Sequence, residues 1–388
     1  MTPSRAGSAK VGAQELDLVV QGNTAFALDL YGKLRQAEGN LFFSPYSLST
    51  ALAMTYAGAR GDTAAQMAEA LHFHLEPDRL HPAFAGLQNG LNAIQAQGDI
   101  LLRIANALWP HQERVLLEEY LALVEEHYGV LIQSLDYRDP EAARGVINAW
   151  VEKETEGKIQ DLIAQGVLDD QTRLVLTNAI YFKGMWASPF REDRTDEAPF
   201  WVAPDRKVKV PMMAQQLSCR LRESRDLQVL ELPYAGDDCS MLVLLPRDRD
   251  GLAGLEASLT PDSLTAWLRS ERKRSVRVFM PRFKTTSQFG LGETLKTLGM
   301  VDAFDGKADF SGMDGSKWLQ IGAVIHQAYV DVNEEGTEAA AATGVVMMTK
   351  ASFLPEPTFR ADHPFVFLIR DNRTQSVLFL GRVVDPTG

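Results

Sequence analysis

The order of hydrophobic and polar positions predicts helices mainly in the first half of the chain and strands mainly in the second. Apolar residues recur at helical spacing in residues 24–36. Residues 173–183 form a long apolar run, which is typical of a strand buried on both faces. Two strand-like segments, 364–370 and 376–383, flank a short turn and predict a hairpin. Further strands are predicted at 41–43, 226–234, 240–245 and 276–284, and further helices after Ser44–Pro45 and at 115–128, 140–155, 158–164, 261–270 and 290–299.

Composition narrows the class of protein. The 388 residues alone allow two or three domains, but no linker rich in Pro, Gly or Ser divides them, so one mixed domain is favoured. A hydrophobic share of 45% excludes a disordered chain. The net charge of -12 argues against nucleic acid as the main partner, because phosphate binding needs a basic face. Two cysteines cannot form a disulfide scaffold or a four-cysteine zinc site, and Cys219 and Cys239 are expected to be free thiols.

The start of the chain shows no targeting signal. Residues 1–22 contain no apolar run long enough for the core of a signal peptide, so the protein is expected either to stay inside the cell or to begin after a cleavage site. No stretch approaches the ~18 consecutive apolar residues of a membrane helix, and no membrane association is expected.

One segment, residues 331–363, does not follow the pattern of a single element. It begins as a strand, and two glycines then bracket four consecutive alanines, Ala339–Ala342. The alanines favour a helix, the valines that follow favour a strand, and Pro355 and Pro357 stop either element. A connection of about 20 residues without clear structure is usually functional or disordered when it lies in a compact domain.

Read with the period of a strand, this segment has one small, uncharged face. Thr337, Ala339, Ala341 and Thr343 share it. The segment could therefore lie outside the fold as a loop or enter a sheet as a strand without a steric clash, which is what a two-state switch requires. The alternative is a plain surface helix or a flexible loop.

Several blocks, in the right order, resemble those of the serpin family over roughly residues 20–386. The segment NEEGTEAAAATGVV resembles the hinge of the reactive-centre loop of an inhibitory serpin, and FRADHPFVFLIRDNRTQSVLFLGRVVDP resembles the C-terminal signature of the family. Three other blocks also resemble family segments: NLFFSPYSLSTALAMTYAGARGDT, LVLTNAIYFKGMWASPF and VPMMAQ. The chain is identified as a member of this family, of the inhibitory type and similar to prokaryotic serpins.

The resemblance implies a single α+β domain over residues 21–388, with three β-sheets, eight or nine helices and an exposed reactive-centre loop at about 334–357. Residues 1–20 are expected to form a flexible N-terminal segment. A serpin of this type is a suicide substrate of a serine protease. The protease cleaves the loop, stays attached as an acyl-enzyme, and is trapped when the freed hinge inserts into the central sheet. The serpin is not an enzyme in this scheme.

The resemblance also places the bond that the protease cleaves. The hinge glutamate Glu334 lies 16 residues before the residue whose carbonyl is attacked, which gives Lys350 with Ala351 on the leaving side. A lysine at this position suits a trypsin-like protease, whose pocket carries a buried carboxylate that pairs with it. An apolar pocket would leave the lysine charge unpaired, which is costly. The alternative is cleavage nearby, where Met348 (with Met347) suits subtilisin-, chymotrypsin- or elastase-like proteases and Phe353 a chymotrypsin-like one.

Three groups of site residues follow from the resemblance. The loop hinge comprises Glu334, Glu335, Gly336, Thr337, Glu338, Ala339, Ala340, Ala341 and Ala342. The shutter, a polar cluster beneath the point where the central strands part, comprises Ser44, Ser47, Asn178 and His326. The breach, at the top of the sheet, comprises Trp186, Arg282 and Glu334. The competing interpretations are a satisfied buried network with no gating role for the shutter, and a weak surface ion pair for Arg282 and Glu334.

The remaining expectations concern partners and location. The target serine protease is the expected partner, in a covalent complex with a monomer, and no cofactor or metal is expected. The basic run Arg269, Arg272, Lys273, Arg274 and Arg277 is interpreted as a solvated face rather than a strong heparin site. By resemblance the protein is extracellular, with the cytoplasm as the alternative. The functional alternative is a non-inhibitory serpin that acts as a binding or chaperone-like protein.

Overall fold

The computed structural model describes residues 12–269, 272–337 and 356–388. Its α-helices are α1 (Ala13–Leu34), α2 (Pro45–Gly58), α3 (Gly61–Ala70), α4 (Pro77–Gln95), α5 (Glu118–His127), α6 (Pro140–Glu154), α7 (Leu252–Ala257), α8 (Pro261–Trp267), α9 (Gly292–Thr297) and α10 (Ser311–Asp314). Its strands are β1 (Leu41–Phe43), β2 (Ile100–Pro110), β3 (Leu131–Ile132), β4 (Leu174–Met185), β5 (Thr195–Ala203), β6 (Arg206–Glu223), β7 (Leu227–Pro233), β8 (Cys239–Pro246), β9 (Arg274–Pro281), β10 (Phe283–Gly290), β11 (Ala323–Val332), β12 (Gly336–Thr337), β13 (Thr358–Arg360), β14 (Phe365–Asp371) and β15 (Val377–Val383).

The strands form three sheets. The first has six strands in the order β10-β11-β12-β4-β2-β3, and β11 also pairs directly with β4. The second runs β1-β15-β14-β8-β7-β6, and the third consists of β5, β6, β9 and β13. The long strand β6 joins the last two, because its first part pairs with β5 and β9 and its last four residues pair with β7. The α+β architecture with three sheets is thus confirmed, and the described residues contain ten α-helices instead of eight or nine because several are short.

Two apolar cores lie on opposite faces of the six-stranded sheet. The larger core packs α1, α2 and the β14–β15 hairpin against one face, and Phe42 stacks between Phe367 and Phe379 at its centre. The smaller core packs α6 on the other face, where Trp109 and Ile147 are fully buried. Both faces of β4 are therefore covered, as its uninterrupted apolar sequence predicts.

The N-terminal segment is more ordered than expected. Helix α1 begins at Ala13, so residues 13–20, expected to be flexible, are helical. Val19 and Val20 are buried in the larger core. Their burial stabilises α1 and offsets the loss of helix stability that a glycine at position 22 causes. Gly22 is needed there, because a Cβ at this position would lie 2.3 Å from the carbonyl oxygen of His72. Residues 1–11 of the expected flexible segment lie outside the described residues.

The predicted helix at 158–164 is wrong. Ile159, Leu162 and Ile163 are fully buried in the smaller core, but the segment is irregular. Asn148 of α6 explains the difference, because its side-chain amide donates to the carbonyl of Ile163 and its side-chain oxygen accepts from the N–H of the same residue. These bonds satisfy the buried backbone without a helix.

Three expectations about chemistry can be compared with the structure. Cys219 and Cys239 are free and buried, and burial raises the pKa of both thiols to about 12. Within the described ranges, no group of three or more His, Cys, Asp or Glu side chains is arranged to hold a metal ion. The helices of those ranges include none with the length and apolar content needed to span a membrane.

Gly381 provides a test of how tightly the larger core is packed. A Cβ at this position would lie 2.4 Å from the carbonyl oxygen of Leu41, so we expect Gly381→Ala to destabilise the fold by about 2 kcal/mol. The matched control is Gly254→Ala in α7, where no atom lies within 4 Å of the added methyl and helix propensity favours alanine. Denaturant unfolding of both variants checks the prediction, and equal midpoints would contradict it.

Candidate functional site

The central feature of the six-stranded sheet is a seam between β4 and β11. The two strands run parallel and pair directly from Val175 with Ala323 to Tyr181 with Tyr329. Beyond Tyr181 and Tyr329 they part, and the two residues of β12 occupy the space between them. Thr337 pairs antiparallel with Val332 on one side and with Gly184 on the other. Two of the predicted hinge residues, Gly336 and Thr337, therefore already form a strand at one end of the seam.

The inserted hinge residues are tightly enclosed. Thr337 is fully buried, and its hydroxyl lies 2.8 Å from that of Tyr234. Gly336 has a φ of 158°, and a Cβ there would lie 2.1 Å from the carbonyl oxygen of Gly184. Only a glycine fits beside β4 at this point, and only a small side chain fits at the next position.

Glu334 anchors the hinge immediately before it enters the sheet. Its side chain is 3% exposed, and both carboxylate oxygens accept from Nε of Arg282, at 2.7 and 2.6 Å. The hydroxyl of Thr195 donates to the same carboxylate. The pair joins a buried carboxylate to an arginine that is 43% exposed, so it differs from a fully exposed surface pair. Loss of Arg282 would leave the buried carboxylate without its charged partner.

Trp186 closes the same end of the seam. Its backbone N–H donates to the carbonyl of Glu335 at 2.9 Å, and its indole N–H donates to the carbonyl of Asn333 at 3.0 Å. Its ring stacks on Tyr234 with the centroids 4.7 Å apart. The structure thus brings the three predicted breach residues together around the hinge.

Farther along the seam, one polar residue from each of three adjacent strands lies in a row. Asn106 of β2 is the register partner of Asn178 of β4, which is the register partner of His326 of β11. The amide of Asn178 donates to Oδ1 of Asn106, and Oδ1 of Asn178 lies 2.5 Å from Nδ1 of His326. All three side chains are buried.

The start of α2 completes this cluster. The backbone N–H of Ser44 donates to Nε2 of His326 at 3.1 Å, so His326 is neutral and carries its proton on Nδ1. The Ser44 hydroxyl donates to the carbonyl of Leu378 and also caps α2 by accepting from the N–H of Ser47. The Ser47 hydroxyl donates to Asn106 and accepts from Asn178. The four predicted shutter residues therefore form one satisfied network.

Comparison with known proteins agrees with this geometry. The family model described as serpin (serine protease inhibitor) matches residues 21–386. The chain belongs to the serpin family. This serpin is 46% identical over 375 residues to the leukocyte elastase inhibitor of Bos taurus, which covers 94% of this chain and 98% of that protein. It is 40% identical over 387 residues to serpin B3 of Homo sapiens, covering 94% and 99% of the two chains.

Solved structures of serpins are also similar. Uncleaved ovalbumin matches with a TM-score of 0.86 at 32% identity, covering 95% of this serpin and 100% of that chain. Human thyroxine-binding globulin with bound thyroxine matches with a TM-score of 0.88 at 32% identity, covering 96% and 100%. The resemblance seen in the sequence blocks therefore extends over the whole fold.

Part of the predicted site lies outside the described residues of this serpin. This part comprises Glu338, Ala339, Ala340, Ala341, Ala342, Met347, Met348, Lys350, Ala351 and Phe353. Sequence reasoning also missed three residues of the described site: Asn106, Thr195 and Tyr234. An asparagine inside the apolar strand ILLRIANALWP was a usable signal for Asn106, because a buried amide needs partners. Nothing local to Thr195 marked it as a contact of a residue 139 positions away.

The shutter histidine makes the stability of this serpin depend on pH. Burial lowers the pKa of His326 from 6.5 to about 3, although the hydrogen bond with Asn178 raises it in part. Between these values the unfolded chain binds a proton that the folded chain does not. The contribution to stability is therefore full above pH 6.5 and is lost as the pH falls, at up to about 1.4 kcal/mol per pH unit for each such histidine. Burial lowers the pKa of His81 to about 4, so it acts in the same direction.

We expect His326→Gln to reduce the loss of stability between pH 7 and pH 5 by about half, because one of these two histidines is then removed. Glutamine can still accept from Ser44 and donate to Asn178. Urea unfolding midpoints at a series of pH values measure the effect, with the exposed His74→Gln as the matched control. A pH dependence equal to that of the unsubstituted protein would contradict the prediction.

Proposed function

We propose that this serpin inhibits a serine protease as a suicide substrate. The observation that carries the proposal is the placement of Gly336 and Thr337 between β4 and β11, at the open end of a seam that can accept a further strand. A hinge that has begun to enter the sheet is suited to continue after cleavage. About 14 inserted residues would make a strand of about 46 Å at ~3.3 Å per residue.

In the proposed reaction the protease supplies all the catalytic groups. Its serine hydroxyl attacks the carbonyl carbon of Lys350, the peptide bond to Ala351 breaks, and the amine of Ala351 leaves with a proton from the protease's own base. The product is an ester between the protease serine and Lys350. Insertion of the freed segment then carries the attached protease away before water hydrolyses the ester. Insertion is favourable because it adds main-chain hydrogen bonds and buries apolar side chains that the starting fold withholds.

The target is proposed from the residue at the cleaved bond. Lys350 favours a trypsin-like protease, whose pocket carries a buried carboxylate. A second candidate is an elastase-like target that cleaves at Met348, and the observation in its favour is the name of several relatives, leukocyte elastase inhibitor. A chymotrypsin-like target that cleaves at Phe353 is the third.

We also propose that the protein acts as a monomer and that it works inside the cell. The relatives do not support the extracellular location expected from the resemblance. Two buried, reduced thiols suit the reducing cytoplasm, where disulfides are rare. The non-inhibitory alternative, a binding or chaperone-like serpin, predicts that a protease cleaves the loop without becoming attached.

Lys350→Ala tests the position of the cleaved bond. We expect it to slow the inhibition of trypsin by at least about 100-fold, because the pocket carboxylate loses its charged partner. Lys350→Arg is the matched control and keeps the charge. Rates of trypsin inactivation check the prediction, with mass spectrometry of the cleaved loop. Undiminished inhibition by the alanine variant would place the bond elsewhere.

Thr337→Arg tests insertion. The side chain at this position is fully buried, so a charged arginine would resist burial and favour the exposed form of the hinge. We expect the variant to be cleaved without trapping the protease, while Thr337→Ser, which keeps the hydroxyl beside Tyr234, still traps it. A denaturing gel separates cleaved serpin from the covalent band of summed mass. A stable complex formed by the arginine variant would refute insertion at this residue.

A further inference from the structure

An aromatic ring on the third sheet lies between two arginines. Arg360 of β13 is the register partner of Phe279 of β9, and its guanidinium lies 4.0 Å from the centre of the Phe279 ring. Arg277 lies two residues earlier on β9, with its guanidinium 5.7 Å from the same ring. We call these three residues the cationic ledge. In the described part of the chain, β13 pairs only with β9, so the ledge lies at an edge of the sheet.

Neither arginine of the ledge forms an ion pair with a described residue. Among the described residues no carboxylate oxygen lies within 4.0 Å of either guanidinium, although the protein has 51 acidic residues. The neighbouring Glu356 instead accepts from the side chains of Gln216 and Ser275. The ring holds the two guanidinium groups in place without neutralising them.

The ledge differs in this respect from the basic run that the sequence shows beside it. Lys273 pairs with Asp237, and Arg274 pairs with Glu223 and also donates to the carbonyl of Leu221. Arg277, the last member of the run, faces the ring instead. Arg277 is exposed, as the interpretation of the run as a solvated face expects, but it differs from Lys273 and Arg274 in having no carboxylate partner among the described residues.

A second ring of the third sheet, that of Trp201 on β5, also lies near two cations. The backbone N–H of Trp201 donates to the carbonyl of Asp362, two residues beyond β13. Its ring lies 4.3 Å from the guanidinium of Arg249 and 5.4 Å from the ammonium of Lys207. Neither cation has a carboxylate partner within 4.0 Å among the residues that the structure describes.

Chain length limits what can cover this surface. Thr358, the first residue of β13, follows Ala351 by seven residues, which span at most about 25 Å. A protease of about 220 residues has a radius of gyration of about 17 Å. A protease bound at Lys350–Ala351 therefore has the ledge within its reach, on the side of its cleft that holds the residues after the cleaved bond.

We propose that the cationic ledge is an exosite for the target protease. It binds carboxylates on the rim of the protease cleft that accommodates the leaving side of the loop. This inference rests on the proposed inhibitory function and adds to it a determinant of which proteases are captured quickly. Charges placed around an interface act mainly on the rate of association, so the ledge selects among proteases with the same primary specificity.

The experiment compares rates of protease capture. The protease is whichever of trypsin, chymotrypsin, pancreatic elastase and subtilisin the unsubstituted protein inactivates fastest. The double variant Arg277→Ala/Arg360→Ala is compared with Arg114→Ala. The guanidinium of Arg114 also lies over an aromatic ring, 4.7 Å from the centre of Trp318. Arg173, immediately before β4, covers the same ring, so Arg114 lies near the start of β4, whereas the hinge lies near its end.

We expect the double variant to associate about tenfold more slowly at low salt, with a weaker dependence on sodium chloride. The covalent complex and the stoichiometry of inhibition stay unchanged, and Arg114→Ala behaves as the unsubstituted protein. Equal association rates for the double variant would overturn the exosite. So would a loss of heparin binding without a change in association rate, because the ledge would then be a polyanion site. If none of the four proteases gives a covalent band, the proposed function fails and the exosite fails with it, which the gel distinguishes from a change in rate alone.

Discussion

The direct parallel pairing of β4 with β11 is the contact on which the behaviour of the sheet depends. The seam runs from Val175 with Ala323 to Tyr181 with Tyr329 and ends where β12 begins. A strand that enters the seam breaks one parallel ladder and forms two antiparallel ladders, because β12 is antiparallel to both neighbours. Antiparallel pairing is at least as stable per residue as parallel pairing. The starting sheet therefore lacks about one full ladder of hydrogen bonds that it could have.

The hydrogen bonds of the shutter residues cross this seam and leave none of their polar groups unsatisfied. Asn178 and His326 bond directly across the seam, and Ser44 links His326 to the β14–β15 hairpin through the carbonyl of Leu378. Each group has a partner, so the closed state costs little, and opening is favourable only if a new strand replaces the lost bonds. The network thus couples three elements: the six-stranded sheet, the start of α2 and the hairpin that forms the centre of the larger core.

The sequence predicted the strands that are buried on both faces, such as β4 and the β14–β15 hairpin. It failed where contacts with residues far away in the sequence determine the local structure. Residues 158–164 have apolar positions that suit a helix, but Asn148 satisfies their backbone from another element. Residues 13–20 were expected to be flexible, but they form the first turns of α1, a helix that packs against α4 and α2. The resemblance supplied the shutter and breach, yet it omitted Asn106, Thr195 and Tyr234, which become part of the site only through register and contacts over long sequence separations. The same limit applies to the ledge, whose two strands pair residues that are 81 positions apart in the sequence.

The position of β12 also fixes the register that a longer inserted strand would have along the seam. Thr337 lies opposite Gly184 and Val332. A strand that continued in this register would move one position down β4 and β11 for each residue added, so its sixth further residue would come opposite Asn178 and His326 together. That residue is Thr343, and it has the same parity as Thr337, whose hydroxyl meets Tyr234 in the larger core. The hydroxyl of Thr343 would therefore lie between the amide of Asn178 and the imidazole of His326. A hydroxyl has one donor and two acceptor lone pairs, so it could bond to both groups. In the proposed insertion, Thr343 would therefore supply new hydrogen-bonding groups at the point where the Asn178–His326 hydrogen bond is broken.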